Sequence, residues 1–320
     1  MQIKAGQIAI VTGGGDGMGR QLCVQLASRG VHVALCDINE SNMKQTLLEC
    51  SQVASQSTRL FTFKCDIRKE AQCFAFRDAV LAEFGTKNVN MLFNNAGIGG
   101  GGSFLKAKRA EWEMCFDVNW YGVYHMCRAF ADLLVASEEG CLVNTSSING
   151  LWASLGPRVP HTAYGAAKFA VRGFTEALIN DFRMHAPHVG VVLVMPGYVS
   201  TGIAENSIRS MKSAHGIDIE AKLSRQEAAV GAAFRKNDRG LSSAQAATII
   251  LGCVEDGRWR CLVGDDAEAL DQGVRMAPEA VYDMTFDALA KAGNPDWHPG
   301  QKTQLERRGP GKDLQRASRL

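Results

Sequence analysis

Short apolar runs alternate along this chain with longer stretches in which apolar residues recur every three or four positions. The short runs predict buried strands, and the periodic stretches predict amphipathic helices. The predicted strands cover 7–11, 31–37, 59–66, 89–95, 140–147, 189–197 and 259–264, and the main helices cover 18–29, 40–54, 69–84, 110–137 and 162–185. Because the strand runs are almost continuously apolar, both faces of the sheet should be covered. The pattern predicts an α/β fold of the Rossmann type, with a doubly wound, seven-stranded parallel sheet.

The alternation of strand and helix weakens after residue 201. Residues 202–240 are polar and helical in pattern, and we expect them to form a substrate-binding lid. Residues 265–292 add further helix, whereas 293–320 are rich in Gly, Pro and charge and predict a partly irregular C-terminal extension. Neither a repeat nor a low-complexity linker divides the chain, so we expect one domain over residues 1–292.

Charge and cysteine usage narrow the class of protein. The net charge is +2, which is too small to indicate nucleic acid or a membrane surface as a partner. The ten cysteines form no C-x-x-C pair, so neither a zinc site nor a redox motif is expected. Many of them lie in apolar runs, where a thiol behaves as a small hydrophobe. This usage, with no signal-like N-terminus and no apolar run of membrane-spanning length, leads us to expect a cytoplasmic protein.

A glycine-rich loop, TGGGDGMG at 12–19, joins the first predicted strand to the first predicted helix. Glycines at such a junction allow a tight turn and close approach of a phosphate to the helix N-terminus. The spacing differs from the common dinucleotide fingerprint, and the loop lacks the Gly-Lys-Ser/Thr ending of nucleoside-triphosphate loops. A bare turn is the alternative, but the strand–loop–helix context favours a bound dinucleotide.

Acidic residues end the second and third predicted strands. Asp37 lies eighteen residues beyond Gly19, where a carboxylate can accept both hydroxyls of an adenosine ribose and would repel a 2′-phosphate. The loop carries a second acid, Asp16, and has no Arg or Lys, so we expect NAD rather than NADP. Asp66 is placed to touch the adenine edge. The alternative for both Asp37 and Asp66 is a cap on the following helix.

Eight segments, taken in order, resemble the short-chain dehydrogenase/reductase family, in its T-G-x-x-x-G-x-G branch. They are TGGGDGMG (12–19), Asp37, CDI (65–67), NNAG (94–97), VN (118–119), NTSS (144–147), YGAAK (164–168) and PGYVST (196–201), and they span about residues 5–200. Each segment is only moderately specific, but their order and spacing are specific together.

The resemblance implies four catalytic residues. Tyr164 would be the general acid/base, and Lys168, one helical turn further on, would favour its phenolate and bind the nicotinamide ribose. Ser147, rather than Ser146, would bind and polarise the substrate oxygen. Asn119 would bend its helix and hold a water that connects Lys168 to solvent, although an ordinary buried amide is the alternative.

The resemblance also implies which residues contact NAD. They are Thr12, Gly13, Gly17, Met18, Gly19, Asp37, Asp66, Ile67, Asn94, Ala96, Gly97, Tyr164, Lys168, Pro196, Gly197, Val199 and Thr201. One departure from the family is the separation of Ser147 and Tyr164, which is seventeen residues and thus a few longer than usual. We expect residues 156–161 to bulge as a loop and to alter the substrate pocket rather than the catalytic set.

The expected activity is therefore NAD-dependent interconversion of a secondary alcohol and its ketone. The substrate should be hydrophobic or bulky, because the candidate walls include Leu151, Trp152 and Leu155 with Ile203, Ile208 and Met211 beyond the last motif. Those residues could instead pack under the lid or in a subunit interface. The alternative functions are an NADP-preferring ketone reductase, a non-catalytic dinucleotide sensor or scaffold, and a sugar-nucleotide epimerase or dehydratase. The long helices at 110–137 and 162–185 pair across two-fold axes in relatives, which implies a homotetramer or else a dimer.

Overall fold

Seven parallel strands form the central sheet of this computed structural model, which describes residues 1–214, 216–219, 221–235 and 240–298. They are β1 (Ile8–Thr12), β2 (His32–Asp37), β3 (Leu60–Lys64), β4 (Met91–Asn94), β5 (Gly140–Thr145), β6 (Val189–Pro196) and β9 (Arg260–Val263), in the order β3-β2-β1-β4-β5-β6-β9. A separate parallel pair joins β7 (Val199–Ser200) to β8 (Leu241–Ser242). The predicted Rossmann-type sheet is confirmed. Residues 215, 220 and 236–239 of the predicted lid and 299–320 of the predicted extension lie outside the described residues.

Helices connect the strands and cover both faces of the sheet. They are α1 (Gly17–Ser28), α2 (Glu40–Val53), α3 (Glu70–Phe84), α4 (Arg109–Phe116), α5 (Gly122–Val135), α6 (Thr162–His185), α7 (Ile203–Ala214), α8 (Arg225–Arg235), α9 (Ser243–Glu255), α10 (Asp265–Met276) and α11 (Phe286–Gly293). The predicted helix at 110–137 is interrupted between α4 and α5 by a π-helical turn, Asp117–Tyr121. Such a turn inserts extra backbone and often marks a functional site.

The core forms two apolar layers, one on each face of the sheet. Side chains alternate along β1, so Ala9 and Val11 pack in one layer, which includes Leu22 of α1. Ile8 and Ile10 pack in the other layer, which includes Phe76 of α3. Burial on both faces explains why the strand sequences are almost continuously apolar.

The strand order reverses direction at β1, and this reversal positions the candidate site. Ala9 of β1 pairs with Val33 of β2 on one side and with Met91 of β4 on the other. The connections after β1 and β4 therefore leave on opposite faces and open a crevice at the carboxyl ends of the strands. Ligands of doubly wound sheets bind in such crevices.

The segment after β9 folds back against the turn that follows β5. Trp152 is almost fully buried against Leu270, Val281 and Leu289, and its indole N–H donates to the carbonyl of Val281 at 3.0 Å. Helix α9 begins with a capping box in which Ser242 and Gln245 bond reciprocally. The predicted helical content of 265–292 is confirmed by α10 and α11.

All ten cysteines are buried, and eight of them are free. Cys253 and Cys261 form a disulfide between α9 and β9, which the interpretation of the cysteines as small buried hydrophobes did not include. Their pairing had no sequence signal because only the antiparallel return of α9 onto β9 brings the two positions together. Within the described ranges, we find no helix whose length and apolar content would let it cross a membrane.

Candidate active site

The glycine loop closes tightly over the carboxyl end of β1. Gly13 adopts a left-handed φ of +63°, and a Cβ at Gly19 would overlap the carbonyl oxygen of Gly13. Only glycine fits at position 19 without moving the loop. Asp16 caps α1 by accepting from the N–H of Gly17 at 2.8 Å, and it also accepts from Asn206 of α7 at 3.0 Å. The close-packed glycine turn thus leads directly into a helix N-terminus, an arrangement suited to a phosphate.

Asp37 lies at the end of β2 and faces the glycine loop. Its carboxylate accepts from the N–H groups of Gly15 and Asn39, each at 3.0 Å. Burial raises the pKa of Asp37 above its ordinary value, while these backbone hydrogen bonds oppose the rise. The alternative that Asp37 caps α2 is wrong, because the cap is Asn39, which accepts from the N–H of Asn42.

Asp66 follows β3 and is held by its neighbour Arg68. One carboxylate oxygen accepts from the guanidinium at 2.6 Å, and the other accepts from the backbone N–H of Arg68 at 3.1 Å. Helix α3 begins later, after Lys69, so the Asp66 carboxylate orders the approach to the helix without capping it. Asp66 and Ile67 both line the crevice.

Two adjoining cavities occupy the crevice, with volumes of about 170 Å³ and about 880 Å³. They share Met18, Asn95, Gly97, Thr201 and Ile203 as lining residues. The predicted cofactor residues that line the smaller cavity are Gly13, Gly17, Met18, Asp37, Asp66, Ile67, Ala96, Gly97 and Thr201. The larger cavity is lined by Ser147, Tyr164 and Lys168 together with Met18, Gly97, Pro196, Gly197, Val199 and Thr201. The five shared residues place the two cavities side by side in the crevice.

Three predicted cofactor residues lie behind the cavity walls. The Thr12 hydroxyl accepts from the N–H groups of Asn95 and Ala96, each at 3.0 Å, and so fixes the turn after β4. Gly19 lies beneath the loop. The side chain of Asn94 is buried and donates to Asn144 at 2.8 Å, so its neighbour Asn95 lines the cavities instead. Adjacent residues at a strand end point to opposite sides, and the NNAG motif alone does not show which of the two asparagines faces the cavities.

Tyr164 and Lys168 lie on the first two turns of α6. The Lys168 ammonium nitrogen is 5.5 Å from the centre of the Tyr164 ring and donates to the Thr145 carbonyl at 2.9 Å. Burial lowers the pKa of Lys168 to about 8. Burial also raises the pKa of Tyr164 to about 12, and a hydrogen bond with Ser147 opposes this rise. The protein alone therefore holds a neutral phenol next to an amine that is still mostly charged at neutral pH.

The two serines at the end of β5 have different surroundings. Ser147 hydrogen-bonds with Tyr164 and accepts from the N–H of Asn149 at 3.2 Å, and it lines the larger cavity. Ser146 also reaches that cavity wall, but its hydroxyl donates to the Lys168 carbonyl at 2.6 Å. The hydroxyl next to the phenol is thus that of Ser147, while Ser146 holds α6 against β5.

Asn119 lies in the π-helical turn and is fully buried. Its amide N–H group donates to the carbonyls of Ile98 and Cys115, each at 2.7 Å. The amide oxygen has no partner among the described residues. A Cβ built on Gly97 would lie 2.8 Å from that oxygen and 3.4 Å from the Lys168 nitrogen, so both atoms border the same small space. An unpaired buried acceptor next to a cation is suited to a bridging water.

The long connection between Ser147 and Tyr164 bulges as expected, and α6 starts at Thr162. Ser154 bridges to Pro160 as an isolated β-pair, and Arg158 takes a left-handed φ of +64° at the tip. The bulge places His161 against Tyr164, with ring centres 4.7 Å apart. His161 had no signal in the sequence beyond its place in the loop at 156–161.

The apolar wall of the larger cavity contains five of the six predicted side chains: Trp152, Leu155, Ile203, Ile208 and Met211. Leu151 packs instead with Leu193 and Met195 in a separate buried cluster. Phe286, Asp287 and Trp297 of the C-terminal segment also line the cavity. These had no sequence signal, because they lie far along the chain and reach the cavity only through tertiary packing.

Asp266, at the start of α10, is another lining residue that the sequence analysis missed. Its carboxylate accepts from the N–H groups of Tyr198 at 2.6 Å and Ala267 at 2.9 Å, and a Cβ at Gly197 would overlap it. Burial raises the pKa of Asp266 to about 6. Its place just after the last strand of the sheet is the signal that could have found it.

Comparison with known proteins gives the family. Residues 7–212 match the family model for short chain dehydrogenase. SadH of Mycobacterium tuberculosis, named as an oxidoreductase, is 34% identical over 289 residues, which cover 89% of this chain and 96% of SadH. A short chain dehydrogenase/reductase from Burkholderia phymatum, solved in complex with NAD, has a TM-score of 0.73 and 30% identity over 88% of this chain and 96% of its own. A metagenomic short-chain oxidoreductase solved with NADP has a TM-score of 0.54 and 28% identity over 70% and 96% of the respective chains.

The matched region contains the glycine loop, the strand-end residues and the Tyr164–Lys168 pair that form the two cavities. The chain therefore belongs to the short-chain dehydrogenase/reductase family of oxidoreductases.

Proposed function

We propose that this protein is an NAD-dependent oxidoreductase that interconverts a hydrophobic or bulky secondary alcohol and its ketone. The observation that carries the proposal is the common wall on which Ser147, Tyr164 and Lys168 lie, in a cavity that adjoins the glycine-loop crevice. A hydroxyl, a phenol and a buried cation at one wall can bind an oxygen and exchange a proton with it.

The crevice residues fit NAD. Gly13 and Gly19 pack too closely to admit side chains, which suits a pyrophosphate, and Asp37 offers a carboxylate where a ribose would bind. We assign Asp66, Ile67 and Asn95 to the walls around the adenine and the linking phosphates. Pro196, Gly197, Val199 and Thr201 would hold the nicotinamide end. NADP is the alternative cofactor, favoured by the NADP-bound metagenomic relative, and the Asp37 carboxylate at the proposed ribose site argues against it.

Bound NAD supplies the hydride chemistry of the reaction. Ser147 donates a hydrogen bond to the substrate oxygen and orients it toward Tyr164. In alcohol oxidation the Tyr164 phenolate takes the hydroxyl proton, and in ketone reduction the phenol returns it. Lys168 stabilises the phenolate with its charge, and its position on α6 is fixed by the bond to Thr145.

Proton exchange with solvent would follow the space between Gly97, Asn119 and Lys168. The unpaired Asn119 oxygen can hold a water there, and Lys168 can donate to that water. The π-helical turn carries Asn119, whose buried side chain lies at this point. We therefore assign Asn119 to a relay rather than to substrate contact.

The substrate class follows from the larger cavity. Its volume of about 880 Å³ lies in the range of drug-sized ligands, and its walls are formed largely by Trp152, Ile208, Met211, Phe286 and Trp297 with similar side chains. A bulky apolar alcohol or ketone buries more surface there than a small charged one.

We also propose a homo-oligomer, a tetramer or else a dimer, in the cytoplasm. Phe169 on α6 and Tyr121 before α5 are exposed by 39% and 45%, as expected for an uncovered face. A monomer by light scattering at micromolar concentration would contradict this. The eight free thiols favour a reducing compartment, and the Cys253–Cys261 disulfide is the opposing observation.

The test is turnover of a panel of secondary alcohols with NAD and with NADP, followed by absorbance of the reduced cofactor. We expect higher kcat/KM with NAD and with apolar alcohols, and a loss of about 10²- to 10⁴-fold in Tyr164→Phe. Tyr282→Phe, which changes an exposed phenol outside both cavities, serves as the matched control. Preference for small charged alcohols would refute the substrate class. NAD binding without any turnover would support the non-catalytic alternative.

A further inference from the structure

His161 brings a second polar group to the reacting wall of the larger cavity. It is the residue before α6, at the end of the bulge that lengthens the connection from Ser147 to Tyr164. Its ring contacts the Tyr164 ring in a tilted arrangement, with ring centres 4.7 Å apart and 35° between the planes, and it lines the cavity. The Gly165 N–H donates to the His161 carbonyl at 3.0 Å, which ties this backbone to the first turn of the helix.

The imidazole is half-buried and its hydrogen-bonding capacity is unused by the protein. No described residue forms a hydrogen bond or an ion pair with the His161 side chain. Burial lowers its pKa to about 4, so at neutral pH the ring is uncharged, with one N–H donor and one acceptor nitrogen. A polar group held in an apolar wall without a partner loses free energy unless a ligand or water pairs with it.

Asn149 and Ser154, two other polar side chains that line the cavity, are engaged within the protein. Asn149 donates to the carbonyls of Trp152 and Ser154, and Ser147 accepts from the N–H of Asn149. Ser154 donates to the Gly156 carbonyl within the bulge. The His161 ring is therefore well placed to meet a polar atom of the substrate next to the oxygen that Tyr164 and Ser147 would hold.

We propose that His161 is a specificity-determining residue that hydrogen-bonds a second oxygen of the substrate, a hydroxyl or carbonyl on a carbon adjacent or next but one to the reacting carbon. The inference rests on the proposed function, because it assumes that the reacting oxygen lies at Tyr164. With ring centres 4.7 Å apart, the imidazole and the phenol lie at the same part of the wall, so they could contact two neighbouring oxygens of one substrate. The preferred substrates are then apolar molecules that carry a diol, hydroxyketone or diketone unit at one end.

A different role for the ring is to hold Tyr164 in position by stacking. That role predicts an equal loss for all substrates when the ring is changed. Recognition of a second oxygen predicts a loss confined to substrates that have it, because a site built to bond a hydroxyl discriminates strongly against analogues without one.

The experiment compares 1-phenylethane-1,2-diol with 1-phenylpropan-1-ol, in which a methyl group replaces the second hydroxyl. Steady-state kcat/KM with NAD is measured for the wild type, His161→Phe, which keeps a ring, and His161→Gln, which keeps hydrogen-bonding atoms. His185→Phe, at the exposed end of α6, is the matched control. Thermal unfolding of each variant checks that the fold is kept.

We expect the wild type to favour the diol and His161→Phe to lower the diol-to-monoalcohol ratio of kcat/KM by about 10- to 100-fold, with the monoalcohol changed by less than about threefold. His161→Gln should retain part of the ratio, and His185→Phe all of it. An unchanged ratio in His161→Phe, or no wild-type preference for the diol, overturns the proposal while alcohol turnover itself still supports the dehydrogenase. If the wild type oxidises neither these two alcohols nor any member of the secondary-alcohol panel, the proposed function itself is overturned, and the role of His161 falls with it.

Discussion

Replacing Lys168 by Met tests whether its charge makes the Tyr164 phenol acidic. Burial, partly opposed by the hydrogen bond with Ser147, raises the pKa of Tyr164 to about 12, and burial lowers that of Lys168 to about 8. At the pH where Tyr164 would ionise with this pKa, Lys168 is therefore already neutral. Catalysis near neutral pH requires the opposite combination, a phenolate beside an ammonium group.

The size of the effect follows from the geometry. With 5.5 Å between the ammonium nitrogen and the ring centre, one charge stabilises the phenolate by about 3 kcal/mol at an effective dielectric constant of about 20. That energy corresponds to about two pKa units, which brings the Tyr164 pKa from about 12 to about 10. A second positive charge at a similar distance, such as oxidised NAD would carry on its nicotinamide ring, would lower it by about two units more, to about 8. Both charges are needed.

The assay is the pH profile of kcat/KM for alcohol oxidation with saturating NAD. For the wild type, kcat/KM should rise with pH to a plateau, with an apparent pKa of about 8. This apparent pKa belongs to the interacting Tyr164–Lys168 pair rather than to either residue alone. In Lys168→Met the midpoint should move up by about two units, so that activity at neutral pH falls by about 100-fold. Lys106→Met, which changes an exposed lysine, is the control and should leave the profile unchanged.

A midpoint that stays in place in Lys168→Met would refute the electrostatic argument. A fall in activity by the same factor at every pH would show that Lys168 acts only by binding NAD. Equilibrium binding of NAD to the variant separates these contributions, because binding reports the ribose contact and the midpoint reports the charge.

Three further predictions follow from other residues. Asp37→Ala removes a carboxylate next to the proposed ribose site, so kcat/KM should shift toward NADP relative to NAD by about 10- to 100-fold; an unchanged ratio would contradict the assignment. Asn119→Ala should lower kcat and enlarge the solvent isotope effect with little change in NAD affinity, and an isotope effect equal to that of the wild type would exclude the relay. Asp266 binds its proton more tightly in the folded state, where its pKa is about 6, than in the unfolded state, where it is about 4. Its contribution to stability is therefore present below about pH 4 and is lost, by about 2–3 kcal/mol, as the pH rises to about 6. Urea unfolding of Asp266→Asn should lack that part of the pH dependence, and a slope equal to that of the wild type would contradict it.

Much of the fold was predictable because strand and helix periodicities differ so clearly in this chain. The seven apolar runs correspond to the seven strands of the sheet, and the glycine loop lies where its strand–helix context placed it. The π-helical turn was not predicted in form: the apolar pattern indicated one helix over 110–137, and the family resemblance implied only a bend at Asn119.

The catalytic wall was largely predictable because Tyr164 and Lys168 are local neighbours on one helix. Residues that reach the site only through tertiary contacts were not predictable from the sequence. Trp297 and Phe286 reach the cavity only after the C-terminal segment folds back onto Trp152. His161 had no local signal either, since its function depends on the direction in which an irregular bulge turns its ring.

The most direct test of the account is an ultraviolet titration of tyrosinate in the NAD complex, taken as the difference between the wild type and Tyr164→Phe. We predict that one phenol ionises at about pH 8 in the wild type. This titration step should be missing in Tyr164→Phe and should occur about two pH units higher in Lys168→Met. If no phenol attributable to Tyr164 ionises below about pH 10 with NAD bound, the claim that two positive charges activate this residue is contradicted.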